Sequence, residues 1–101
     1  MKTLFALIET HGPAWDAKKT LDQQGYWEEH RVFMNNLATR GFIVMGGPLE
    51  NSDDALLIID ARDEAEIDSV LAPDPWRQKG FLVRKELRRW NILLEAGVKY
   101  D

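Results

Sequence analysis

Four short segments of the chain are apolar at consecutive positions rather than at every second position. They cover residues 5–8, 42–45, 55–59 and 92–94. Strands of this kind need cover on both faces of their sheet. The chain has 101 residues, which suits a single domain over residues 1–101 and leaves few other elements to supply that cover.

Two helices are predicted between these strands. Apolar residues at spacings of three and four predict the first helix over residues 26–40, with Gly41 just after its end. Asp63 predicts the N-cap of a second, shorter helix, and Glu66 completes a capping box. Pro73 is expected to end this helix by forcing the preceding residue into an extended conformation.

The connections are predicted from their turn-forming residues. Residues 11–24 are expected to form a loop, residues 46–48 (Gly-Gly-Pro) a turn or bulge, and residues 74–76 a compact loop. The last strand is expected to run from residue 81 to residue 94, with a break near residues 88–89.

The order of elements is therefore β-α-β-β-α-β. This is the order of a ferredoxin-like α+β fold, in which two helices pack on one face of a four-stranded antiparallel sheet. Because two helices cover only one face, we expect a second copy of the chain to cover the other, in a homodimer packed sheet against sheet. The alternative is a monomer whose long loop folds over the open face.

Composition excludes several classes of function. The absence of cysteine removes disulfide scaffolds, thiolate zinc sites, iron–sulfur clusters and cysteine nucleophiles. A formal net charge of −4 argues against nucleic acid as a partner. No segment approaches the roughly 20 apolar residues that span a bilayer, and the N-terminus lacks the apolar core of a signal peptide. We therefore expect a cytoplasmic protein with no membrane partner.

His30 and Asp74 are the candidates for proton transfer. His30 falls on the apolar face of the first predicted helix, and imidazole both accepts and donates protons near neutral pH. The alternative for His30 is a partly buried structural histidine. Asp74 stands between two prolines, where its carboxylate can orient a histidine or abstract a proton. The alternative for Asp74 is a residue that caps its own turn.

The loop after the first strand is a candidate wall for a small-molecule pocket. It contains His11, Gly12, Pro13, Trp15 and Asp16. A tight turn plugged by the tryptophan explains the same residues without a function. In residues 46–48, the glycines either let a ligand approach the backbone or only mark a bulge.

Neither a metal nor an organic cofactor is expected. A site of two histidines and one carboxylate would need His11, His30 and Asp74 to converge, and no local spacing indicates this. The chain also has no dinucleotide-binding motif and, apart from His30, no residue suited to axial haem ligation.

Five motifs together resemble the YCII-related (YciI-like) family of the dimeric α+β barrel superfamily. They are residues 12–16 (GPAWD), 27–34 (WEEHRVFM), 41–49 (GFIVMGGPL), 74–76 (DPW) and 90–94 (WNILL). The resemblance implies a ferredoxin-like subunit, a homodimer with sheets packed face to face, and a pocket that contains the family's histidine and aspartate. Carried over by motif, these are His30 and Asp74.

Two functions remain open. One is a cofactor-independent lyase or isomerase, similar to the family's dehydrochlorinases, that acts on a small cyclic or aromatic compound. His30 would transfer protons with Asp74 as its partner, while Trp15, Trp27 and Trp76 would supply apolar walls. Gly47 would complete the pocket. The other is a binding or regulatory module that holds a small ligand without converting it. His11 stands where the family is expected to carry another residue, so its role and the charge of the substrate stay open.

Overall fold

A computed structural model describes residues 2–97 of the chain. Four strands, β1 (Lys2–His11), β2 (Ile43–Pro48), β3 (Asp54–Ile59) and β4 (Leu82–Ile92), form one sheet in the order β2-β3-β1-β4. All neighbouring strands are antiparallel. The helices are α1 (Trp27–Thr39), α2 (Glu64–Leu71) and α3 (Pro75–Gln78). The predicted ferredoxin-like α+β fold is confirmed.

The core lies between the helices and one face of the sheet. Alternate residues of β1, Phe5 and Leu7, point into it and pair with Ile59 and Leu57 of β3. The helices contribute mainly Leu37, Ile67 and Leu71. Since side chains alternate across a strand, the next residue of this series in β1 is Glu9, which is also buried.

The ends of the two longer helices follow the sequence signals. Gly41, which follows α1, has φ of 81°, a conformation that glycine adopts without steric cost. The Asp63 side chain accepts a hydrogen bond from the backbone N–H of Glu66 at 2.9 Å, as a capping box requires. The Glu66 carboxylate, however, accepts from the backbone of Arg62 rather than from that of Asp63. The expected extended conformation before Pro73 is wrong, because Ala72 is helical with φ of −54° and ψ of −37°.

Three predictions about the connections are corrected. Residues 46–48 are neither a turn nor a bulge: they continue β2 as its last three residues and pair with β3, and the register shift lies between Ile43 and Met45. The compact loop expected over residues 74–76 is instead the beginning of α3. The expected loop over residues 11–24 contains a short 3₁₀ turn at Leu21–Gln23.

Strand β4 is not broken near residues 88–89. It pairs continuously with β1 from Ile92 to Glu86, and the irregularity lies further back, where the partners of Ile8 and Glu9 are Glu86 and Arg84. Lys85 is therefore an extra residue on β4, a β-bulge. On the N-terminal side of this bulge, Leu82 lies opposite His11 and faces the helix side of the sheet.

The face of the sheet that the helices leave open is mostly apolar on β1, β2 and β3, and it carries Glu86 and Arg88 on β4. Ala6, Leu56 and Ile58 lie on it, together with Met45 and Trp90, whose residues are 65% and 45% exposed. Residues opposite one another on neighbouring strands share a face, which places Ile58 beside Met45 and Ala6 beside Ile58. The homodimer through this face stays a prediction.

Candidate functional site

The fold brings His30 and Asp74 into direct contact. The Nδ1 atom of His30 lies 2.9 Å from Oδ1 and 3.0 Å from Oδ2 of Asp74. The Asp74 side chain is 0% exposed and that of His30 is 11% exposed. The two residues are far apart in the chain, so packing of α1 against α3 creates this pair.

Local structure accounts for the position of each residue. His30 lies on α1 one turn after Trp27, and the two rings are 6.2 Å apart. Asp74 is the N-cap of α3, with Pro75 in the first helical position, where a missing N–H has no cost. One Asp74 oxygen lies 3.4 Å from the backbone nitrogen of Trp76. Asp74 therefore caps its own turn and also contacts His30. The structural interpretation of this residue and the interpretation as a partner of His30 are compatible.

The contacts fix which nitrogen of His30 carries its proton. Asp74 accepts a hydrogen bond from the guanidinium of Arg77, and its carboxylate oxygens are acceptors. Nδ1 of His30 must therefore donate to them. In neutral imidazole this leaves Nε2 as an acceptor. Nε2 makes no hydrogen bond within the described residues, and no buried side-chain nitrogen or oxygen there lacks a partner, so solvent reaches Nε2.

A buried chain of charges continues from Asp74. Arg77 donates to Asp74 Oδ2 at 2.6 Å, and it holds Glu9 in a two-pronged contact, Nε to Oε2 and Nη2 to Oε1, both 2.6 Å long. Met34 Sδ lies 3.6 Å from Arg77 Nη1. The side chains of Arg77 and Glu9 are only 13% and 4% exposed. The chain Glu9–Arg77–Asp74–His30 thus links β1, α3 and α1.

Sequence reasoning missed Glu9 and Arg77. The signal for Glu9 was available, because it follows Phe5 and Leu7 at every second position of β1 and therefore falls on the buried face. An acidic residue at such a position needs a cationic partner. Arg77 lies three residues after Asp74, a spacing that brings side chains together only on a helix, and a loop was predicted there.

Aromatic rings surround the imidazole of His30. Trp76 stacks on it with ring centroids 3.9 Å apart and planes 10° apart, and the Trp76 indole N–H donates to the carbonyl of Gly25 at 2.7 Å. Trp15 meets Trp76 edge to face at 5.4 Å, and His11 stacks on Trp15 at 3.7 Å. The packing fixes the plane of the His30 ring from one side and leaves its edge open.

His30 opens into a cavity of about 370 Å³. Its lining is mostly apolar or aromatic, with a few polar groups, as in sites for small organic ligands. The lining residues are Glu9, His11, Trp15, Leu21, Trp27, His30, Met34, Gly46, Gly47, Pro48, Ser52, Asp53, Asp54, Ala55, Leu57, Trp76, Arg77 and Leu82. On this lining, a hydrogen bond from the Lys85 ammonium holds the pKa of Asp54 below its usual range.

Five of the predicted pocket residues line this cavity: His11, Trp15, Trp27, Gly47 and Trp76. The other three predicted pocket residues do not.

Gly12, Pro13 and Asp16 have structural positions instead. A Cβ on Gly12 would lie 2.2 Å from the backbone oxygen of Gly80, so Gly12 allows two backbones, rather than a ligand and a backbone, to approach. Pro13 is exposed beside this turn. The Asp16 side chain accepts from the backbone N–H of Lys18 at 2.9 Å, which closes a local turn.

Within residues 2–97, no group of three or more histidine, cysteine, aspartate or glutamate side chains is arranged to hold a metal ion. His11 contacts Asp53 at 3.5 Å, whereas His30 contacts Asp74. The two histidines therefore have different carboxylate partners, Asp53 for His11 and Asp74 for His30. No helix in this part of the chain is long and apolar enough to cross a membrane.

The sheet order and the helix placement define the protein as a ferredoxin-like α+β domain with a cavity on the helix side of its sheet. A family model described as the YCII-related domain matches residues 3–91, and the chain belongs to this family. It has no match among the curated proteins with which it was compared.

Proposed function

We propose that this protein is a cofactor-independent lyase or isomerase that acts on a small cyclic or aromatic compound. One observation carries the proposal: Nδ1 of His30 donates to the buried carboxylate of Asp74, while Nε2 is open to solvent in a cavity lined by tryptophans. A base held in one tautomer, with its acceptor nitrogen facing the ligand space, is the arrangement that general acid–base catalysis needs.

In this proposal His30 Nε2 removes a proton from a carbon atom of the ligand. Asp74 orients the ring and stabilises the imidazolium that forms, as a carboxylate does for the histidine of other catalytic pairs. In an elimination, the electron pair of the broken C–H bond forms a double bond and expels a leaving group from the adjacent carbon. In an isomerisation, the imidazolium returns the proton to a different carbon of the ligand.

The neighbouring residues contribute position rather than protons. Arg77 donates one hydrogen bond of 2.6 Å to Asp74, and Glu9 fixes the Arg77 guanidinium by accepting two more of 2.6 Å, so the Asp74 carboxylate is held towards His30. Trp76 stacks against the imidazole and fixes its plane. Trp15 and Trp27 supply the apolar walls that bind a ring compound and exclude water.

A ligand-binding module without catalysis is the second candidate. The observation that favours it is the double role of Asp74, which caps α3 and would be required there even if His30 performed no chemistry. In that case the cavity holds a metabolite, and the His30–Asp74 contact only joins α1 to α3.

Exchange of carbon-bound hydrogen for deuterium distinguishes these two functions. Small cyclic and aromatic compounds with acidic C–H bonds would be incubated with the protein in D₂O, and deuterium uptake or elimination would be followed by NMR. We expect His30→Gln to slow the reaction by about 10²–10⁴-fold, because it removes the base. Glu29→Gln, an exposed change on the same helix, is the matched control and should react at the original rate.

The same experiment can also refute catalysis. If compounds bind in the cavity, but none exchanges or eliminates faster with the protein than with His30→Gln, the enzyme proposal is wrong and the binding module is favoured.

A further inference from the structure

The charged side chains around the cavity have a marked imbalance. Glu9, Asp53 and Asp54 line it, and Arg77 is the one lysine or arginine among its described lining residues. A site that binds a carboxylate or phosphate normally presents arginine or lysine donors to it.

Four of the five N–H donors of Arg77 are already in use. Its Nε and Nη2 atoms bind both oxygens of Glu9, and Nη1 binds Asp74 and contacts the sulfur of Met34. The carboxylates of Glu9 and Asp74 share the single guanidinium of Arg77, so these three buried side chains together carry a net negative charge. In a partly buried site this charge is screened less than it would be in water.

The remaining polar groups do not reverse this charge. Nε2 of His30 is an acceptor in the neutral ring, and Asp53 adds a further carboxylate beside His11. Lys85 pairs with Asp54 at 2.8 Å but does not line the cavity. The tryptophans of the wall bind a neutral ring by apolar contact, and they attract a cation through the electrons of the ring face.

We propose that the cavity selects an uncharged or cationic ring compound and rejects carboxylates, and that Glu9 sets this selectivity by occupying Arg77. The inference rests on the proposed function for the location of the ligand and names the substrate class of that same site. Glu9→Gln then has a specific consequence. A neutral amide leaves Arg77 donors and positive charge available to an anion in the cavity.

Three ring compounds of similar size test this inference: benzylamine, benzyl alcohol and benzoate. Each would be titrated into the ¹⁵N-labelled protein, with the indole N–H signals of Trp27 and Trp76 as reporters of the cavity. We expect benzoate to bind at least about tenfold more weakly than benzyl alcohol, and benzylamine to bind at least as well as the alcohol. In Glu9→Gln the gap between benzoate and the alcohol should close or invert.

Glu29→Gln is the matched control, because it removes the same charge from an exposed position on α1 that does not line the cavity. It should leave the order of the three compounds unchanged. The order measured on the unaltered protein is itself a test and does not depend on whether Glu9→Gln folds.

Two results would overturn the inference: equal binding of benzoate and benzyl alcohol to the unaltered protein, or binding of none of the three. A folded Glu9→Gln protein that still rejects benzoate would remove Glu9 as the cause. These readouts are equilibrium binding without turnover. Selective binding with no deuterium exchange would therefore leave the selectivity standing and refute the catalytic proposal alone.

Discussion

Removal of the Arg77 guanidinium should destabilise the protein far more than removal of an exposed one. Arg77→Met leaves the carboxylates of Glu9 and Asp74, 4% and 0% exposed, facing each other without a cation. Loss of one partner from a buried ion pair costs about 3–5 kcal/mol. The total stability of a domain of this size is about 5–15 kcal/mol, so this change removes a large part of it.

Urea unfolding followed by tryptophan fluorescence measures this effect at one fixed protein concentration. With a slope of about 1–3 kcal/mol per molar urea, the midpoint should fall by roughly 1 M or more. Arg31→Met is the matched control: Arg31 makes an exposed ion pair with Glu28 on the surface of α1, and its loss should leave the midpoint unchanged within error.

A double-mutant cycle isolates the interaction. Adding Glu9→Gln to Arg77→Met removes one of the two stranded carboxylates, so the double variant should be more stable than the sum of the single changes by at least about 1 kcal/mol. Additive effects, or equal losses for Arg77→Met and Arg31→Met, would refute the view that the buried charges depend on one another.

Three further predictions follow from other parts of the fold. Gly12→Ala should lower the unfolding midpoint because its Cβ would lie 2.2 Å from a backbone oxygen, whereas Gly47→Ala, with nothing within 4 Å, should lower it much less. Trp90→Lys on the open face should convert the expected dimer to monomer by light scattering; a monomeric parent protein would contradict this. The lowered pKa of Asp54 means that its bond to Lys85 stabilises the fold above the unfolded-state pKa and is lost as the pH falls below about 4, so Lys85→Met should flatten the acid side of the stability profile.

The order and type of the main elements could be predicted because they depend on local patterns. The bulge at Lys85 and the continuation of β2 through residues 46–48 could not, because they depend on position in the sheet. Gly-Gly-Pro is locally a turn signal, but β2 is an edge strand, where a proline without an N–H is tolerated.

The candidate site was predictable in part for the same reason. His30 and Asp74 each carry a recognisable local signal, and the structure places them 2.9 Å apart. Arg77 lies in a segment with loop-like sequence, so its contact with Asp74 on a helical turn was not predicted, and its contact with Glu9 of β1 joins residues that no local pattern connects. Gly12 was predicted as part of a pocket wall or a tight turn, and the structure packs it against the backbone of Gly80.

The central position of β1 has a consequence for synthesis of the chain. Both of its partners come much later: Phe5 pairs with Ile59 on one side and with Arg89 on the other. While a ribosome makes the intervening residues, the apolar strand β1 has two unpaired edges. A strand in this state is prone to aggregation. Glu9 cannot meet Arg77 before α3 has been made, which follows three of the four strands, so the buried chain of charges forms late in synthesis.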